Sequence, residues 1–180
     1  GKEADWIFGD YVLRNDTLVA VIAKPIQSRN ANMTVRNVAG SIIDLTFRYR
    51  YRSSDQLSCF YPGAAEIPIR YLRHKVEGNK ATVTVSSDWR EDLPKMQVDY
   101  VLQDGTSHMT ITSKYSNPHQ APITFSLRDA VRADRGFKHR VDQGIYFCED
   151  FHWRKAYGLA AEGYEIESSG DSLEKGRPVL

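Results

Sequence analysis

Met96-Gln97-Val98-Asp99-Tyr100-Val101-Leu102-Gln103-Asp104-Gly105-Thr106-Ser107-His108-Met109-Thr110-Ile111-Thr112 decides the fold class. Two alternating segments flank Asp104-Gly105, and Asp-Gly supplies the positive φ angles of a two-residue type I′ hairpin turn. Counting outward from that turn sets Tyr100 opposite Met109 and Val98 opposite Ile111. One face of the hairpin is then apolar, while Gln97, Asp99, Thr110 and Thr112 share the other. A further strand over Ile123 to Leu127, after the turn at Asn117-Pro118, makes Met96 to Ala130 three consecutive antiparallel strands.

Working outward, the same alternation recurs. Tyr11 to Leu13 reads as a short strand, Asn15-Asp16 as a turn, and Leu18 to Ala23 as an unbroken apolar run of the length of a buried central strand. Met33 to Val35 is expected to be another short strand. From Ile43 the pattern places Ile43, Leu45, Phe47, Tyr49 and Tyr51 on one face and Asp44, Thr46, Arg48, Arg50 and Arg52 on the other. Ser53 to Gly63 has the composition of a loop, Ile67 to Leu72 that of an edge strand with Pro68 near its start, and Ala81 to Ser86 alternates again. Gly144 to Cys148 and Tyr164 to Glu167 complete the series. No segment carries a helical period, and turn signals recur at the spacing of sandwiches and barrels, so the fold class is all-β, an antiparallel β-sandwich. The expected organisation is a lead-in over residues 1–10, one domain over 11–167, and a linker-like tail over 168–180.

With 180 residues and a net charge of +1, the chain suits one domain and carries no global field that would argue for nucleic acid or an anionic surface. No apolar run reaches the roughly 18 residues of a membrane span. Cys59 and Cys148 are too few and too far apart for a thiolate zinc site, and they read better as two separate buried residues than as a bridge. Gly1 in place of methionine suggests a processed or trimmed start, either a scar of tag cleavage that leaves Lys2 as the first native residue or a beginning compatible with a removed signal peptide and a periplasmic or extracellular location.

Three passages resemble the first half of the galactose-mutarotase-like β-supersandwich of aldose epimerases and other carbohydrate-active proteins. They are Leu13-Arg14-Asn15-Asp16-Thr17-Leu18-Val19-Ala20-Val21-Ile22, Ala39-Gly40-Ser41-Ile42-Ile43-Asp44-Leu45, and Tyr100 to Gly105 continuing through Tyr115-Ser116-Asn117 to Pro122-Ile123-Thr124-Phe125-Ser126-Leu127. The resemblance implies a supersandwich-like domain, a carbohydrate ligand, and a length that makes Leu180 a cut through a longer protein. It also implies a catalytic histidine soon after Leu127, where this chain has Arg128-Asp129-Ala130 and so places Asp129. That departure counts against epimerase chemistry. The opening Gly9-Asp10-Tyr11-Val12-Leu13-Arg14-Asn15-Asp16 is similar to segments that precede metal-dependent hydrolase domains in large exported bacterial proteins.

Several residues have chemistry to offer. Arg48, Arg50 and Arg52 would stand about 7 Å apart on one strand face and could grip an acidic polymer, although a solvated charged face needs no ligand. Trp89 and Trp153 fall in loop-like contexts, as do Phe60-Tyr61 and Tyr157, and an exposed ring there can stack on a sugar. Asp129, Asp134, Glu149 and Asp150 are the carboxylates considered for acid–base work. His139, Glu149 and His152 have the donor types of a metal site without the spacing of a metal motif, and no metal or other cofactor is expected. No nucleophile-elbow, dinucleotide or phosphate-loop pattern occurs.

The expected ligand-binding set is therefore Arg48, Arg50, Arg52, Trp89, Asp129 and Trp153. The reading preferred is a noncatalytic module of a larger exported protein that binds carbohydrate and packs against downstream domains. The alternatives are a divergent epimerase or lyase, an accessory domain of a metal-dependent hydrolase, and a purely structural interdomain module.

Overall fold

A computed structural model describes residues 6–26, 28–33, 35–48, 59–65, 69–87, 93–132, 138–150 and 155–166. Those residues form twelve strands and one short 3₁₀ turn, Pro62–Ala65, so the chain is all-β. The first sheet holds β1 (Tyr11–Arg14), β2 (Leu18–Ile22), β3 (Ile42–Phe47), β4 (Cys59–Tyr61) and β9 (Ala130–Arg132), in that order. The second runs β5 (Ile69–Glu77), β6 (Lys80–Ser87), β7 (Lys95–Gln103), β8 (Thr110–Ser116). The third runs β10 (Lys138–Asp142), β11 (Ile145–Asp150), β12 (Lys155–Ala160). All pairings are antiparallel.

The three sheets share one core. Leu18, Ala20 and Ile22 of β2 meet Val83 and Val85 of β6, Met96, Val98, Tyr100 and Leu102 of β7, and Tyr146 and Cys148 of β11. The other face of β2, Val19 and Val21, lies in a second cluster with Val35, Val38, Ile43, Cys59, Tyr61 and Ala130. A strand buried on both faces has no polar side to show, which is why Leu18 to Ala23 reads as a continuous apolar run. Cys59 and Cys148 belong to different clusters, and both are buried and not joined in a disulfide.

Hairpin β7–β8 forms, with a register two residues from that expected. Tyr100 faces Ile111 and Val98 faces Ser113. Only Gly105 of the turn pair has positive φ, at 73°, as in a type II turn; type I′ would need Asp104 positive as well. Because side chains alternate with period two, an even shift leaves every residue on its expected face. Asp99 therefore stays on the polar side, where its carboxylate accepts from Thr84 Oγ1 at 2.7 Å and Lys114 Nζ at 2.8 Å. The I′ turn occurs instead between β10 and β11, where Gln143 and Gly144 both have positive φ and Asp142 pairs with Ile145.

Four further expectations are corrected. A bulge pairs Val21 with Asp44 but Ile22 with Ile42. It throws Ile43 onto the second cluster, while Leu45 and Phe47 face the shared core. Asp44 and Thr46, expected on a solvent face, are buried on the side where the 23–41 segment packs. The expected loop at Ser53 to Gly63 contains β4, whose Cys59, Phe60 and Tyr61 are all buried and pair with β9. No strand forms at Met33, at 122–127, or at Tyr164 to Ile166: Phe125, Leu127 and Tyr164 are exposed, and the chain from Asn117 to Asp129 crosses as irregular backbone.

Candidate functional site

The crossing segment runs from β8, an edge of the second sheet, to β9, an edge of the first. Asp129 is its last residue. Its Oδ1 accepts the Gly63 N–H at 2.9 Å, so the carboxyl group is tied to the 3₁₀ turn that follows β4. Burial raises its pKa above the ordinary aspartate range, and the Gly63 amide acts in the opposite direction by stabilising the anion.

Two phenols share this neighbourhood. Tyr100 is fully buried, and its hydroxyl donates to the Gly40 carbonyl at 2.7 Å. Burial lifts its pKa well above the usual phenol value, and the charge of Asp129, then that of Cys59, adds to the rise. Tyr115 lies half-buried on the core face of β8, opposite Met96. Its pKa is pushed up to about 12, first by burial and then by Asp129, against a hydrogen bond with Ser113. Phe125 from the crossing segment packs on Tyr115 with ring centroids 5.1 Å apart and planes tilted by 41°. The result is an aromatic pair, open on the Phe125 side, beside a half-buried carboxyl group.

Such an arrangement can hold a polyhydroxylated ring. Aromatic faces pack on C–H surfaces, and a carboxylate accepts hydrogen bonds from hydroxyls on the polar edge. Burial and the Gly63 amide account for the shift of Asp129, so among the described residues no second carboxylate couples to it in the manner of a glycosidase pair.

The other expected site residues are placed elsewhere or lie outside the described residues. Arg48 follows β3 in a turn. Its N–H donates to Thr17 O at 2.9 Å and its guanidinium to Asn15 O, so it braces the β1–β2 connection. Arg50, Arg52, Trp89, Asp134, His152 and Trp153 lie outside the described residues. His139 pairs with Cys148 and Glu149 with Lys138, and these successive ladder positions point to opposite faces of the third sheet. His139 stays on the core side, its ring 6.1 Å from that of Tyr146, whereas Glu149 meets Arg140 at 3.6 Å on the outer side. Among the described residues, no group of three His, Cys, Asp or Glu side chains could hold a metal ion.

Tyr100, Tyr115, Phe125 and Gly63 are absent from the set expected from the sequence. Tyr115 is identifiable by parity alone, since it shares the face of Tyr100 and Val98. Phe125 is not, because its packing on Tyr115 requires the crossing segment to leave the sheet. No protein-family model, curated protein or solved structure matches this chain.

Proposed function

We propose that this chain is a noncatalytic β-sandwich module that binds carbohydrate at the open edge formed by Tyr115, Phe125 and Asp129. The observation that carries this reading is the tilted Tyr115–Phe125 pair beside the Asp129 carboxyl group. The rings offer a surface for the apolar face of a pyranose, and Asp129 and the crossing backbone offer acceptors for its hydroxyls. A carboxyl group at the centre of the site favours neutral over sulfated or uronic sugars.

The likeness of Leu13 to Ile22 and of Tyr100 to Gly105 to domains of carbohydrate-active proteins supports the ligand class. Asp129 standing where an epimerase would carry histidine supports binding without conversion, and the likeness of Gly9 to Asp16 to segments of large exported bacterial proteins supports membership of a larger exported protein. A glycan array followed by calorimetry with neutral and sulfated oligosaccharides tests the reading. Binding of a neutral sugar that Tyr115→Ala weakens by about tenfold or more supports it, and absence of any binding at millimolar ligand removes it.

A further inference from the structure

Asp104-Gly105 is the single Asp-Gly pair in the sequence, which has no Asn-Gly, and both residues stand exposed at the tip of the β7–β8 hairpin. A glycine amide is the least hindered nucleophile the main chain can offer to a preceding aspartate, and a Cβ placed on Gly105 would meet nothing within 4 Å. The reaction open to such a pair is dehydration followed by hydrolysis. The Gly105 nitrogen bonds to Asp104 Cγ, the amide proton and the carboxyl hydroxyl leave as water, and a five-membered succinimide results. Water then opens the ring. Addition at the main-chain carbonyl of Asp104 breaks its bond to the Gly105 nitrogen and leaves the chain running through Cβ, an isoaspartate of unchanged mass.

The turn is built against that ring. Closure needs the Gly105 nitrogen eclipsed with Asp104 Cβ, whereas in a type II turn, with ψ of about 120° at the first corner residue, that nitrogen points about a third of a turn away. Bringing it round swings the 104–105 peptide, and hydrogen bonds oppose the swing. Gly105 N–H donates to Asp16 Oδ1 at 3.3 Å, Asp104 N–H to Asn79 O at 2.9 Å and Thr106 N–H to Gln103 O at 3.4 Å. Thr106 Oγ1 also donates to Gln103 O, at 2.8 Å. The buried Asn15 side-chain amide donates to both Gln103 O and Thr106 O, so the β1–β2 connection grips the turn at both ends. We propose that Asp104 is a latent isoaspartate site, held closed by Asn15 and Asp16 and reactive when the two turns part. Once formed, the lesion keeps them apart, because isoaspartate adds a methylene to the main chain between Gln103 and Thr106 and one amide nitrogen no longer spans both carbonyls. The carbohydrate site uses none of these residues, so the two readings stand or fall separately.

The test incubates the 180-residue chain at neutral pH and physiological temperature, folded and in urea, and follows the tryptic peptide from Met96 to Lys114. Isoaspartate separates from aspartate by chromatography at equal mass, resists an aspartate-specific endoproteinase, and is located by electron-transfer fragmentation. The expected result is isoaspartate at Asp104 that accumulates about tenfold or more slowly in the folded chain than in urea, since the reaction follows the population of the opened turn. In samples that a melting curve shows to be folded, Asn15→Ala is expected to speed the reaction about tenfold and Asp16→Ala, an exposed position, about threefold. Equal accumulation in the folded chain and in urea overturns the inference, as does absence of the product at Asp104 in urea, or a wild-type rate in either folded variant.

Discussion

Asn15 and Gln103, 88 residues apart, are joined by a 2.7 Å hydrogen bond from the Asn15 side-chain amide to the Gln103 carbonyl. The same amide nitrogen donates to Thr106 O at 2.9 Å, and its Oδ1 accepts from the Thr17 and Leu18 amides at 2.8 and 2.7 Å. One buried side chain thus uses its full capacity of two donors and two acceptors to lock the β1–β2 turn to the β7–β8 turn. It also helps explain the register of the hairpin, because the backbone from Gln103 to Thr106 is held to a neighbour instead of closing in the shortest way.

Asn15→Ala leaves those backbone groups without their partner and is expected to cost about 2–4 kcal/mol, seen as a lower urea midpoint with an unchanged slope. Asn15→Asp is nearly isosteric but sets an acceptor against two carbonyl oxygens, so it should be destabilising as well. Melting of both variants with wild type would show that the clamp contributes nothing.

Asp10→Asn leaves the buried Arg29 guanidinium without its counter-charge, and the expected cost is about 3 kcal/mol in chemical denaturation. Replacing both residues by leucine and methionine should recover only part of that loss, since it removes the buried charge but leaves the Lys24 and Ile7 amides without their acceptor. A single variant within about 0.5 kcal/mol of wild type would contradict the buried pairing.

Asp129 has a folded-state pKa above its unfolded value because it is buried. Its protonated form is therefore favoured by folding, and the associated stability is present below the ordinary aspartate pKa and lost as pH rises through the raised one. Asp129→Asn keeps an acceptor for the Gly63 amide and removes the buried charge. It should match wild type in acid and melt higher at neutral pH, while weakening sugar binding. A variant less stable at pH 7 than at pH 3, relative to wild type, would reverse the sign and refute this assignment.

How much of this was legible in the sequence depended on the range of the interaction concerned. The faces of β7 and β8 follow from local alternation and survive the two-residue error in register, because parity alone decides which side is buried. β4 was hidden because Cys59 to Tyr61 is too short to show alternation and pairs with segments distant in the chain, β3 at Ile42 on one side and Ala130 to Arg132 on the other. The expected strand at Ile123 to Leu127 did show alternation. Pro118 and Pro122 remove donors at its entry, and the segment instead crosses to β9 with Phe125 packed on Tyr115. Asp129 was singled out from its position after that segment, but its phenol neighbours emerge only once β8 and β9 are both in place. The arginine face failed at Arg48 for a similar reason, since the guanidinium answers the Asn15 carbonyl across the sheet and not its neighbours in sequence.

Chemical-shift mapping of the backbone amides during titration with a neutral oligosaccharide selected on the glycan array tests the central claim most directly. The predicted result is saturable shifts centred on Gly63, Tyr115, Phe125 and Asp129, lost in Tyr115→Ala. Shifts centred on another surface, or none with any neutral or sulfated sugar at millimolar concentration, would contradict it.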